Sequence, residues 1–114
     1  MGYYSNVTIA CDKETCQKII EVCNRFEIEI DEISDTGFFN YIYIYFIKWY
    51  GGEDYTREID LILNGIDKRL KDEPNAFAVL LRDGEDTYDM AILRYGNEDM
   101  SGRFYAKTML DCTP

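Results

Sequence analysis

The sequence predicts an α+β domain of ferredoxin-like plan, an antiparallel sheet with two helices on one face and one or two further strands at the C-terminal end. Three observations carry that expectation. Short β-favouring stretches are bounded by turn residues, two intervening stretches repeat apolar residues at helical spacing, and the order along the chain is β-α-β-β-α-β. Right-handed crossovers then put both helices on the same side of the sheet.

Each element has its own signal. Tyr3 to Cys11 alternates, with Val7, Ile9 and Cys11 on one face and Asn6 and Thr8 on the other. Asp12 ends that strand and is a favoured helix N-cap, because its carboxylate accepts a hydrogen bond from a first-turn amide. Cys16, Ile19, Ile20 and Cys23 recur at i, i+3, i+4 and i+7, so Lys13 to Arg25 is an amphipathic helix, widened by Val22 and Phe26. Phe26, Ile28 and Ile30 alternate with Glu27, Glu29 and Asp31 as a second strand, and Ser34 to Gly37 is a turn.

The third strand, Asn40 to Tyr50, has large β-favouring residues on both faces and is therefore central. Ile42, Ile44 and Phe46 face the helices, whereas Tyr41, Tyr43, Tyr45, Ile47 and Trp49 face away from them. Gly51 and Gly52 break the strand. Asp54 or Thr56 caps a second helix with Ile59, Ile62, Leu63, Ile66 and Leu70 as its stripe, weakened at Gly65 and stopped by Pro74. Ala76 to Arg82 is a fourth strand, Asp83-Gly84 opens a hairpin, Tyr88 to Tyr95 returns as the fifth, and Arg103 to Leu110 is a sixth.

Composition narrows the function classes. At 114 residues, with two prolines, no repeat and no shift in composition, the chain reads as one domain, 1–114. No apolar run approaches the roughly 20 residues that cross a bilayer, and the N-terminus lacks a signal-peptide pattern, so a cytoplasmic location is expected. Cys11, Cys16, Cys23 and Cys112 have no CxxC spacing and no histidine to complete a zinc set, which makes them packed free thiols. The absence of histidine also removes the usual general base, and no phosphate loop or nucleophile elbow is present, so no enzyme and no cofactor are expected. Asp12, at the end of the first strand, is the one position where a metal-dependent nuclease would place an acid, against its simpler role as a cap.

Twelve basic residues stand against 22 acidic ones, a net charge of −10, which opposes nucleic acid and anionic membranes and favours a basic protein partner. Side chains at i and i+2 of a strand lie about 6.7 Å apart, so Tyr41, Tyr43, Tyr45 and Trp49 form an aromatic strip on the face away from the helices. Such rings dominate binding hot spots. Packing beneath a C-terminal segment, or a homodimer contact, is the structural alternative. The geometry is that of RNA-recognition sheets, but Phe26 to Ile47 holds Glu27, Glu29, Asp31, Glu32 and Asp35 and no basic residue. With Asp83, Glu85, Asp86 and Asp89 of the hairpin, and Glu53 and Asp54, these acids present phosphate-like charge to a basic groove.

The opening Met-Gly-Tyr-Tyr-Ser with Val7 and Ile9, the Lys48-Trp49-Tyr50 segment, and Arg82-Asp-Gly-Glu-Asp-Thr-Tyr-Asp89 resemble a family of small bacteriophage and mobile-element proteins. The resemblance implies an anti-defence setting, such as inhibition of a CRISPR or restriction nuclease, and carries over no catalytic residue. The leading expectation is a non-enzymatic inhibitor with the tyrosines as anchor and the acids as rim. The alternatives are a nucleotide-binding sponge using the same rings and a nuclease using Asp12.

Overall fold

The computed structural model describes residues 4–35, 37, 39–49, 54–84 and 90–102. They form an α+β fold with one antiparallel five-stranded sheet and three helices, in the order β1 (Ser5–Cys11), α1 (Lys13–Arg25), β2 (Glu32–Asp35), β3 (Asn40–Ile47), α2 (Asp54–Asn64), α3 (Ile66–Arg69), β4 (Phe77–Gly84) and β5 (Met90–Gly96). The strands lie in the order β2-β3-β1-β4-β5. The connection through α1 therefore steps over β3, and the one through α2 and α3 steps over β1. Residues 98–102 are helical, with Asn97 accepting from the Met100 amide at 3.0 Å.

The sheet carries apolar packing on both faces. Val7, Ile9, Cys11, Ile42, Ile44, Ala78 and Leu80 meet Cys16, Ile19, Val22 and Cys23 of α1, Ile59 and Leu63 of α2, and Ile66 of α3. Each fully buried isoleucine there contributes about 2 kcal/mol of transfer free energy. Ala10, Phe39, Tyr41, Phe77 and Val79 form a second, smaller cluster on the opposite face, with Tyr43, Ile92 and Met100 at its margin. Gly96 closes β5 at φ +79°, where an added Cβ would sit 2.3 Å from the Ala76 carbonyl oxygen and 2.6 Å from Ile66, so only glycine lets β5 lie against α3.

Three sequence expectations are corrected. The second strand is Glu32–Asp35, not Phe26 to Asp31. Helix α1 ends in a Schellman arrangement: Ile28 N–H donates to the Cys23 carbonyl at 2.8 Å and Glu27 N–H to that of Asn24 at 3.3 Å, with Glu27 at φ 57°. That cap turns the chain away from the sheet. Phe26, Ile28 and Ile30 keep the alternating burial of a strand and pack against the helix-side core, but without ladder hydrogen bonds. The turn consequently starts at Asp35, whose carboxylate accepts from Gly37 N–H at 2.8 Å.

The second correction concerns β3. Ser5 pairs with Ile47 and Val7 with Ile44, so two residues advance on β1 while three advance on β3. This bulge sits at Phe46, which has φ 58°. One extra residue reverses every later side chain. Phe46 consequently points to solvent and not to the helices, and Ile47 and Trp49 pack on the helix side with Tyr55, not on the tyrosine face.

The third correction concerns the second helix. Asp54 is already its first residue and Thr56 is buried within it, so neither is a residue preceding the helix that caps it. Gly65 separates α2 from α3, as its cost in a helix interior leads one to expect. The proposed sixth strand, Arg103 to Leu110, lies outside the described residues, as does Cys112.

Candidate functional site

Tyr41, Tyr43 and Tyr45 do form a strip, with ring centroids 5.8 Å apart for the first pair and 6.3 Å for the second. Its exposure is graded. Tyr41 is 6% exposed, enclosed by Phe39 edge-on at 5.1 Å, Tyr43 is half-buried, and Tyr45 is 46% exposed. The aromatic surface available to a partner thus sits at one end of β3.

That end is built around the bulge. Phe46 is 74% exposed, and Tyr4 stacks on it with centroids 4.7 Å apart and planes at 17°. Lys48 Nζ lies 5.8 Å from the Tyr4 ring centre. Two hydrogen bonds hold the strained backbone: Tyr45 N–H donates to Asp31 Oδ2 at 2.7 Å, and Phe46 N–H to Asn6 Oδ1 at 3.0 Å. A bulky residue at positive φ costs on the order of 1 kcal/mol. These clasps, one from each side, are what keep Phe46 projecting.

Phe46 lines two hollows. One, of about 240 Å³, is lined by Ile28, Glu29, Ile44, Tyr45, Phe46, Ile47 and Tyr55, whose hydroxyl donates to the Lys48 carbonyl. The other, of about 90 Å³, is lined by Tyr4, Ser5, Asn6, Phe46, Asp83 and Gly84. Glu32 pairs across the ladder with Tyr43. Glu29, Glu32 and Asp83 form no ion pair among the described residues.

The expected site residues therefore divide. Tyr45, Glu29, Asp31 and Asp83 lie around the end of β3, with Asp31 serving as a backbone clasp and not only as surface charge, while Glu32 sits farther along, opposite Tyr43. Tyr41 is enclosed, Trp49 is on the other face, and Glu27 is the helix cap. Glu85, Asp86 and Asp89 lie outside the described residues. Phe46 and Tyr4, the most prominent aromatic pair, are not apparent from the sequence pattern, because nothing local marks the bulge.

At the opposite end of β1, Asp12 is the N-cap of α1. Its carboxylate accepts from Thr15 N–H at 3.2 Å, the Thr15 hydroxyl at 2.6 Å, Arg69 at 3.0 Å and Phe77 N–H at 3.2 Å. Burial alone would raise its pKa, but the bonds from Thr15, Arg69 and Phe77 together hold it below the ordinary value. Carboxylate oxygens of Asp12, Glu14 and Glu73 lie within 4.8 Å of one another. The Arg69 guanidinium occupies their midst, 2.7 Å from both Glu14 and Glu73. A side-chain cation thus already neutralises this carboxylate cluster.

The cysteines are placed as packed thiols. Cys11, Cys16 and Cys23 are free and buried. The hydrogen bond between the Cys11 and Cys16 thiols, with burial, keeps Cys11 well up, while the same hydrogen bond lowers Cys16, which is only 1% exposed. Burial pushes Cys23 up to about 11.

No family model, curated protein or solved structure matches this chain. Among the described residues, no helix is long and apolar enough to cross a membrane.

Proposed function

We propose that the chain is a non-enzymatic inhibitor that docks on a basic, nucleic-acid-binding host protein, with Tyr45 and Phe46 as anchor and Glu29, Glu32 and Asp83 as charged rim. The observation that carries this reading is the conjunction at the end of β3: a large ring held outward at positive φ beside carboxylates that form no ion pair among the described residues. Projecting aromatics with a polar surround match the anatomy of binding hot spots. A net charge of −10 favours a cationic partner and speeds its encounter.

The resemblance through Met-Gly-Tyr-Tyr-Ser and the Arg82 to Asp89 segment favours an anti-defence setting in a host cytoplasm, with a CRISPR or restriction nuclease as target. We read β2-β3-β1-β4, with its two helical crossovers, as a ferredoxin-like core extended by β5. On that reading the graded burial of the tyrosines makes the strip a pedestal, and the binding surface is its exposed end.

The test is competition. Purified CRISPR and restriction nucleases are assayed for nucleic-acid cleavage with and without this protein, at low and high salt. Inhibition of one of them that weakens steeply with salt is expected, since exposed charges are screened within about 10 Å at 0.1 M. Binding indifferent to salt would remove the electrostatic basis of the reading.

A further inference from the structure

We infer that the hollow between Glu29 and Phe46 is a socket for one arginine side chain of the partner. This deepens the preceding proposal and rests on it. The walls suit the two halves of that side chain. Ile28 and Ile47 offer apolar contact to the methylene stem, while Tyr45, Phe46 and Tyr55 offer aromatic surface and Glu29 a carboxylate. Guanidinium, planar and weakly hydrated, stacks on aromatic faces and pairs with carboxylates in a way that ammonium does not.

Charge fixes the occupant. Among the described residues Glu29 forms no ion pair and none that lines the hollow is basic, and Glu32 lies beyond it on β2. A purely apolar occupant would strand the Glu29 carboxylate against its own surface. The molecule already makes the same kind of contact internally: the Arg25 guanidinium lies 5.6 Å over the Phe26 ring.

The experiment uses the 114-residue chain, ¹⁵N-labelled, titrated with three capped tripeptides: tri-arginine, tri-lysine and tri-citrulline. Tri-arginine is expected to shift the amides of Ile28, Glu29 and Tyr45 to Ile47 along one saturable curve. Glu29→Gln should weaken it by roughly fivefold to tenfold, the loss of one charge-assisted pair. Phe46→Gly, which relieves the strained backbone and so keeps the fold, should weaken it comparably.

Lysine binding as tightly as arginine at these amides would reduce the socket to a diffuse field and overturn it. Citrulline binding equally would overturn the role of charge, and shifts scattered over the acidic surface, or none, would overturn the site. Concentration-dependent shifts of the same amides without peptide would assign the hollow to a second copy of the chain. Should a nuclease bind in a salt-dependent way while Glu29→Gln leaves its affinity unchanged, the socket fails and the inhibitor reading survives. If no basic protein binds at low salt, it is the reading that fails.

Discussion

The two ends of β1 treat acidic residues in opposite ways. Beyond Cys11, the carboxylates of Asp12, Glu14 and Glu73 converge on Arg69, which is only 16% exposed, and two amides and a hydroxyl fill what the guanidinium leaves. At the Ser5 end, Glu29 and Asp83 line the two hollows beside Phe46 and, like Glu32 on β2, form no ion pair among the described residues. Carboxylate count alone would rank the two ends alike. What separates them is that, among the described residues, the carboxylates of the first end are ion-paired and those of the second are not, although Lys48 and Arg82 lie close by.

The largest effect should come from unmaking the closed end. Arg69→Met leaves three carboxylates within 4.8 Å of one another and should cost about 3 kcal/mol in urea unfolding. Millimolar calcium should return part of that loss, because an ion can then sit where the guanidinium was. A cost well under about 1 kcal/mol would mean that the acids simply swing into solvent and that the two ends differ less than the geometry indicates.

At the open end the expectation reverses: function falls and stability does not. Phe46→Gly should weaken capture of the basic partner about tenfold, or about 1.4 kcal/mol. Thermal unfolding should change little, because the lost stacking on Tyr4 is offset by relief of a φ of 58°. Unfolding of this variant would place Phe46 in the structure and not in the interface.

The acid limb of the stability curve sharpens the contrast. The Asp12 pKa is lower in the folded protein than its ordinary value of 3.8, so its contribution is full above that value and is lost as pH falls through the folded one. Asp12→Asn should start about 1 kcal/mol less stable at neutral pH and show a shallower decline below pH ~4. An identical slope in both proteins would show that other carboxylates govern acid unfolding. The smallest effect is at Glu27, where φ is 57° in the Schellman cap; Glu27→Gly should gain about 0.7 kcal/mol in urea unfolding without altering partner capture.

Much of the architecture was legible because it rests on local patterns. The N-cap at Asp12, the 3.6-residue stripe of α1 and the break at Gly65 each need only neighbours in sequence. What escaped depends on register. Phe26 to Ile30 alternates as a strand does and is buried as one, yet after the cap of α1 it makes no strand pairing, and only at Asp31, whose N–H donates to the Tyr43 carbonyl, does the chain join β3. Phe46 continues an unbroken run of β-favouring residues, so the extra residue opposite Ser5 and Val7 is visible only once β1 and β3 are paired. The acidic half of the site was legible as composition. Its aromatic centre was not, because one bulge exchanged the positions of Phe46 and Trp49.

Packing on both faces gives the central strands a further property. β1 and β4 have nearly every side chain from Val7 to Cys11 and from Phe77 to Leu81 enclosed, whereas β2 is four residues long and largely exposed. Amide protons of β1 and β4 should therefore exchange with deuterium only through global unfolding, and those of Ile28 to Asp35 through small local openings. The rim that carries Glu29 and Glu32 can then adjust its shape against a partner while the slab beneath the tyrosines stays fixed.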